Sequence, residues 1–314
     1  MLYLKQIKKI SEDFILIKKP YEKYKKWLAK NTESLIGKTV AITGSTGGLG
    51  KELSRYLLHL GASLILVDRS YERSMAHKNA LTEEFPGADI KLITSDLSDF
   101  ESVKQAGEAL NLERVDFLIH NAGAYSIPRK VCDTGYDNVY QINFVSPYYL
   151  TRTLMKSIKE RGGRIIIVGS IAHNYSKTDK CDVDFKTRKK ASRVYGNAKR
   201  FAMFSAFELL SDKDCPAISV CHPGITFTNI TSHYPKLIFA IIKHPMKIIF
   251  MRRDKAALSI LKGVFDSTKK NEWIGPRFFN VWGLPKKMPL KTVTQEESNF
   301  IKETSDKIYE QIKS

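Results

Sequence analysis

Acidic residues are scarce in this 314-residue chain: 33 aspartates and glutamates stand against 51 lysines and arginines, a formal charge of +18. So basic a balance suits an anionic partner such as nucleic acid or lipid headgroups, or plain solubility, and only its distribution separates them. Clustered cysteine is also missing. Cys132, Cys181, Cys215 and Cys221 form no CxxC pair and no Cys/His set at zinc-ligand spacing, so no metal site or disulfide framework is expected and the thiols suit a reducing cytoplasm. No uninterrupted apolar run reaches the length of a membrane span or a signal peptide, because "FILI" near the N-terminus is cut off by lysines. Internal repeats and low-complexity linkers are absent too. One large domain with terminal extensions is the expectation.

Among the features present, residues 1–36 hold nine lysines against four acids, interleaved with apolar residues such as Leu4, Ile7, Phe14 and Trp27. A basic amphipathic helix of this kind can lie on an anionic membrane surface or pack against its own domain, and the sequence leaves both open. From residue 38 onward, short aliphatic runs alternate with segments of helical period. The runs are "TVAIT" (39–43), "LILV" (64–67), "IKLIT" (90–94), "VDFLI" (115–119), "RIIIV" (164–168) and "AISV" (217–220). Strands that are apolar at every position are buried on both faces, as in a parallel sheet covered by helices. The fold class read from this is α/β, a doubly wound parallel sheet of the Rossmann kind. It forms a single domain over 37–283, preceded by the basic helical extension 1–36 and followed by a polar C-terminal surface helix or tail, 284–314. Two stretches break the rhythm, 173–193 (polar) and 234–253 (apolar and basic), and both are expected as insertions near the carboxyl ends of strands.

"TVAITGSTGGLGKEL" sets Gly44, Gly48 and Gly50 between the first strand and the next helix. Glycine is needed where a chain turns with positive φ and where a pyrophosphate approaches main-chain N–H groups. Asp68 ends the second strand, 18 residues past Gly50, where a carboxylate can accept ribose hydroxyls. With these features the chain resembles the short-chain dehydrogenase/reductase family over most of 38–283. The loop motif is "TGSTGGLG" (43–50), the Asp-Leu pair after the third strand is Asp96–Leu97, and the family's NNAG is "HNAG" (120–123), departing only at His120, which is read as structural.

The resemblance implies dinucleotide contacts at Gly44, Ser45, Gly48, Leu49, Gly50, Asp68, Arg69, Asp96, Leu97, Asn121, Ala122 and Gly123. "HPGITFT" (222–228) is similar to the family's Pro-Gly segment and adds Pro223, Gly224, Ile225 and Thr226, which would approach the nicotinamide carboxamide. Asp68 favours NAD(H), because a carboxylate repels a 2′-phosphate; Arg69 leaves NADP(H) open.

"VYGNAKRF" (194–201) sets Tyr195 four places before Lys199, but Tyr21/Lys25 and Tyr309/Lys313 share that spacing. Context separates them: only Tyr195 lies in a helical segment, 191–210, downstream of a strand ending near a serine, Ser170. The resemblance makes Asn143, Ser170, Tyr195 and Lys199 the catalytic set, with Tyr195 and Lys199 also contacting the cofactor. A phenol has a free pKa of about 10, so an ammonium beside it is expected to favour the phenolate. "GSIAHNY" and the apolar stretch after the Pro-Gly segment are similar to the retinol-dehydrogenase-like branch. This implies a lipophilic alcohol or carbonyl substrate, at a membrane surface if the basic extension docks there. No nucleic-acid motif accompanies the charge, so no nucleic-acid partner is expected, and oligomeric state, homo-oligomer included, is left open. The competing reading is a non-catalytic dinucleotide-binding regulator, which needs the glycine loop but not the Asn143–Ser170–Tyr195–Lys199 set.

Overall fold

A computed structural model describes residues 19–226, 251–291 and 293–313. Two short helices, α1 (Pro20–Lys23) and α2 (Lys25–Asn31), lead into β1 (Thr39–Thr43), α3 (Gly48–His59), β2 (Ser63–Asp68), α4 (Tyr71–Glu84) and β3 (Ile90–Thr94). Next come α5 (Phe100–Leu112), β4 (Phe117–His120), and a long helix that opens as α6 (Asn138–Tyr140), widens into a π-turn (Gln141–Val145) and continues as α7 (Ser146–Glu160). Then follow β5 (Arg164–Val168), a 3₁₀ turn (Ile171–Asn174), α8 (Ala191–Leu209), β6 (Ala217–Cys221), α9 (Arg253–Phe265), β7 (Glu272–Phe278), β8 (Trp282–Pro289) and α10 (Gln295–Ile312).

The eight strands form one sheet in the order β3-β2-β1-β4-β5-β6-β7-β8. All neighbours are parallel except β7 and β8, which form an antiparallel hairpin at the edge. Alternate side chains of one strand point to opposite faces, so "RIIIV" is apolar throughout because both faces are covered. Ile165 and Ile167 join the core beneath α5, α7, α8 and α10, while Ile166 and Val168 join the core beneath α1–α3 and α9. Strand order reverses between β1 and β4. That switch point opens the crevice in which doubly wound sheets hold ligands.

The six strands expected from sequence are all present, with ends moved by a residue or two. β7 and β8 are additional. The domain edge expected at 283 falls inside β8, and α10, expected as a surface helix, buries Ile301, Ile308 and Ile312 against α7 and α8. Its polar majority faces out, and an 18-residue helix with one such apolar stripe looks polar in sequence. At the other end, Tyr21 and Leu28 of the extension are buried against α3, while residues 1–18 lie outside the described part. Among the described residues no helix is long and apolar enough to cross a membrane, and no cluster of side chains could hold a metal ion.

Candidate dinucleotide and catalytic site

The glycine loop is forced by two close approaches. Gly44 has φ +69°, and a Cβ there would stand 2.8 Å from the Ala122 Cα. A Cβ on Gly50 would stand 2.4 Å from the Gly44 carbonyl oxygen. α3 then begins at Gly48 with no side chain capping it, so its first N–H groups are open to an anion. Arg253, at the start of α9, lies directly over this turn: a Cβ on Gly48 would be 2.7 Å from its Nε. Sequence reasoning missed Arg253, because it is the last residue of the apolar and basic 234–253 stretch and no motif surrounds it. Asn121 clamps the loop from the far side, its Nδ2 donating to the carbonyls of Thr43 (3.1 Å) and Gly44 (2.9 Å).

Asp68 is buried at the end of β2 and already engaged. Its carboxylate accepts from Ser45 Oγ at 2.5 Å, and from the N–H and Oγ1 of Thr46 at 3.1 and 3.0 Å. A carboxylate offers about four acceptor positions, so the loop takes most of them. Arg69 beside it is exposed. The Asp96 carboxylate turns back onto Ser98, accepting from its N–H and Oγ, both at 2.8 Å. Leu97 is buried, and its carbonyl accepts from Ser146 Oγ at 2.7 Å. These residues lie at the β2–β3 end of the crevice, away from the tyrosine.

At the other end, α8 carries Tyr195 and Lys199 on one face, their spacing of four being about one helical turn. Ser170 follows β5 and caps the 3₁₀ turn, accepting from the Ala172 N–H at 3.2 Å, and its hydroxyl lies near enough to the Tyr195 phenol to lower its pKa. The Lys199 ammonium donates to the Val168 carbonyl at 2.9 Å and stands 5.8 Å from the Tyr195 ring centre. Asn143 sits in the π-turn, where its Nδ2 donates to the carbonyls of Val139 (2.8 Å) and Ala124 (2.7 Å). Gly123 closes the group, since a Cβ there would be 2.9 Å from Asn143 Oδ1 and 3.6 Å from Lys199 Nζ. Behind them a small cavity of ≈ 20 Å³, lined by Asn143, Lys199, His120 and Ser205 among others, has the size of about one water. The structure thus brings Asn143, Ser170, Tyr195, Lys199 and Gly123 together. His120 packs inward, its Nε2 2.9 Å from Thr151 Oγ1, and burial followed by the Lys199 charge pushes its pKa down to about 3. It is a neutral buried residue, as expected.

The electrostatics differ from the sequence expectation. Burial pushes the Tyr195 phenol up to about 12, against a smaller lowering from Ser170, and burial pushes Lys199 down to about 8. Within the protein alone, desolvation sets the phenol's pKa, and the Lys199 ammonium is bonded to the Val168 carbonyl rather than to the phenol oxygen. Two neighbours that sequence reasoning did not single out shape the pocket. Tyr125 meets the Tyr195 ring edge-on at 5.3 Å, and Phe185, from the 173–193 insertion, packs with Val139, Val194, Ile127 and Tyr195 into an apolar wall. Tyr125 stands two residues past the HNAG motif, which is the one signal that could have found it.

The Pro-Gly segment follows β6. Gly224 has φ +82°, and a Cβ there would stand 2.6 Å from the Val281 carbonyl in the β7–β8 turn. His222 locks the same turn, its Nε2 3.0 Å from the Asn280 carbonyl oxygen and its ring stacked on Trp273 at 4.9 Å. Thr226 bridges Met251, whose N–H donates to the Ile225 carbonyl at 2.7 Å. Of the 234–253 stretch, residues 234–250 lie outside the described part.

A parallel doubly wound sheet with a glycine turn at its switch point defines a dinucleotide-binding type of α/β protein. Part of the chain resembles the short-chain dehydrogenase/reductase family. The family model described as "short chain dehydrogenase" matches residues 38–181. Relatives include short-chain dehydrogenase TIC 32 A, chloroplastic, of Brassica napus, 29% identical over 62% of this chain and 66% of its own length. Human retinol dehydrogenase 13 is 28% identical over 63% of this chain and 61% of its own length. The chain thus spans a little under two thirds of these relatives. In fold it is similar to an uncharacterized protein from Mycobacterium paratuberculosis, with a TM-score of 0.69 at 21% identity over 90% of this chain and 96% of that one.

Proposed function

We propose that this chain is an NAD(P)-dependent oxidoreductase interconverting a lipophilic alcohol and its ketone or aldehyde, of steroid, retinoid or long-chain carbonyl type, with Tyr195 as acid and base. The observation that carries this reading is the meeting of the Ser170 hydroxyl, the Tyr195 phenol and the Lys199 ammonium at the carboxyl edge of the sheet, beside a loop that only glycine can form. The residues present fit a dinucleotide. Gly44, Ser45, Gly48, Leu49 and Gly50 would hold its pyrophosphate at the start of α3; Asp68 and Arg69 the adenosine ribose; Asp96 and Leu97 the adenine. Asn121, Ala122, Gly123, Tyr195 and Lys199 would face the nicotinamide ribose, and Pro223, Gly224, Ile225 and Thr226 its carboxamide. When bound, the nicotinamide supplies or accepts the hydride.

The remaining steps belong to the chain's own groups. Ser170 would hold the substrate oxygen by hydrogen bond, and Tyr195 would give it a proton in reduction and take one in oxidation. Lys199 would keep an ammonium beside the phenol, favouring its ionised form at the moment of transfer. Asn143 acts through position: its amide fixes Ala124 and the π-turn, holding open the small cavity next to Lys199. The apolar wall of Phe185, Val139, Val194 and Ile127 beside Tyr195 supports a lipophilic substrate. Asp68 favours NAD(H), although its engagement by Ser45 and Thr46 weakens that preference and exposed Arg69 admits NADP(H). The four free cysteines fit a reducing compartment such as the cytoplasm.

Titration with NADH and with NADPH, followed by hydrophobic and small polar ketones monitored at the nicotinamide absorbance, tests the reading. Tyr195→Phe should bind nucleotide normally and lose about 10²–10⁴-fold in turnover. Wild-type turnover in that variant removes Tyr195 from the chemistry, and turnover of small polar ketones alone removes the lipophilic substrate.

A further inference from the structure

The turn joining β7 to β8 carries bulk in an unfavourable place. Phe279 and Asn280 sit at φ +51° and +58°, two successive left-handed positions where glycine, asparagine or aspartate is the unstrained choice. Phe279 is 89% exposed, so its ring gains nothing from the fold to offset that strain. Phe278, Trp282 and Leu284 flank it at 42%, 48% and 41% exposure, giving one hairpin four exposed large apolar side chains. Scattered single cases are ordinary on a surface; a contiguous set marks an interaction site. The turn is anchored by the His222 ring at the Asn280 carbonyl, and the Gly224 backbone packs closely against the Val281 carbonyl.

Trp282 and Leu284 also line a groove of ≈ 1040 Å³ between the hairpin and α1–α2. Its other walls include Lys25, Lys26, Lys30, Lys255 and Trp27, with Glu22 the single carboxylate among its lining residues. Those four lysines make no ion pair with any described residue, whereas Lys23 and Arg252 share Asp254 at 3.3 Å each. Uncompensated cations beside projecting aromatic and aliphatic side chains match the layering of a lipid interface: apolar groups enter the acyl boundary, and lysines reach phosphate and carboxylate headgroups. A single-stranded nucleic acid would call for rings interleaved with cations along a track, and it makes no use of an exposed leucine.

We propose that the β7–β8 hairpin and the lysine groove beside it form one docking surface for an anionic lipid membrane. The proposal rests on the lipophilic-substrate reading for its purpose, a substrate drawn from the bilayer beside the Pro-Gly segment, and not for its geometry. The test is co-sedimentation of the full chain, without nucleotide or ketone, with vesicles of phosphatidylcholine alone and with about one third phosphatidylserine. The anionic vesicles should retain at least about tenfold more protein, less as salt rises. Phe279→Ser with Trp282→Ser should lower that retention at least about fivefold. Lys25→Glu, Lys26→Glu and Lys30→Glu together should lower it at least about tenfold, and Lys307→Glu on the opposite side of the sheet should leave it unchanged. All these side chains are solvent-accessible, and matching thermal melts confirm folding. Equal binding to both vesicle types overturns the proposal. So does a charge variant that fails to bind beside an aromatic variant that binds as wild type, above all if the wild type retains RNA or DNA. Turnover of water-soluble ketones is measured separately, so failure of the enzyme reading and failure of the surface give different results.

Discussion

At the residue scale, the decisive contrast is between Tyr195 and its two look-alikes. Tyr21 is buried, stacked on His59 at 4.2 Å and donating to Glu84 at 3.2 Å. Tyr309 lies under the Arg152 guanidinium at 4.5 Å. Both do packing work, and only Tyr195 stands beside Ser170 and the Lys199 ammonium. The Lys199 pKa, pushed down to about 8 by burial, sets a pH limit. Its ammonium is complete below that pH and lost as pH rises through it, while Tyr195, pushed up to about 12, stays protonated. For carbonyl reduction, kcat/KM should therefore be level near neutrality and fall on the alkaline side around pH 8, as read from a pH–rate profile of the free enzyme. A profile level to about pH 10 contradicts that role for Lys199. The residues proposed for the site could be named because each belongs to a short motif. The phenol's raised pKa was not, because desolvation depends on what packs around it.

At the element scale, α8 is held by α10 and by the 173–193 insertion through one buried ion pair. Arg200 meets Glu297 with Nε–Oε1 at 2.7 Å and Nη2–Oε2 at 2.6 Å, while Arg200 Nη1 donates to the His173 carbonyl at 2.8 Å. Glu297 also accepts from the Thr178 N–H and Oγ1 at 3.0 and 2.9 Å. Glu297→Ala leaves a buried guanidinium without its carboxylate, so unfolding in urea should show a loss of about 3–5 kcal/mol. A loss below about 1 kcal/mol, the range of exposed pairs, means that water has replaced the partner. Elements with a strong period were readable, and β1 to β6 and α8 fall where the apolar pattern puts them. β7 and β8 were not, because Gly275, Pro276, Gly283 and Pro285 lie inside them, and such residues in a run argue against a strand unless it sits at a sheet edge. β8 is such an edge.

At the scale of the whole molecule, α10 closes one face of the sheet. It buries Ile301, Ile308 and Ile312 among Tyr148, Phe201 and their neighbours. Each such side chain contributes about 1.5–3 kcal/mol of burial, so together they approach the whole stability of about 5–15 kcal/mol expected of a domain. A chain ending at Leu290 should lose its cooperative melt and associate, as followed by circular dichroism and size exclusion. A sharp melt in that variant shows that the sheet stands without α10.

The sequence by itself determined the doubly wound class, the glycine turn and the motifs that carry the proposed site residues, because buried strands, positive-φ glycines and helical spacing are local properties carried by neighbouring residues. Tertiary structure alone decided that Arg253 covers Gly48, that Asp68 is engaged by Ser45 and Thr46, that burial governs Tyr195 and Lys199, and that the β7–β8 aromatics stand beside lysines with no ion pair among the described residues. Those facts join residues more than 200 positions apart, Gly48 and Arg253 among them, and depend on desolvation and close approach. Neither exists until the chain has folded.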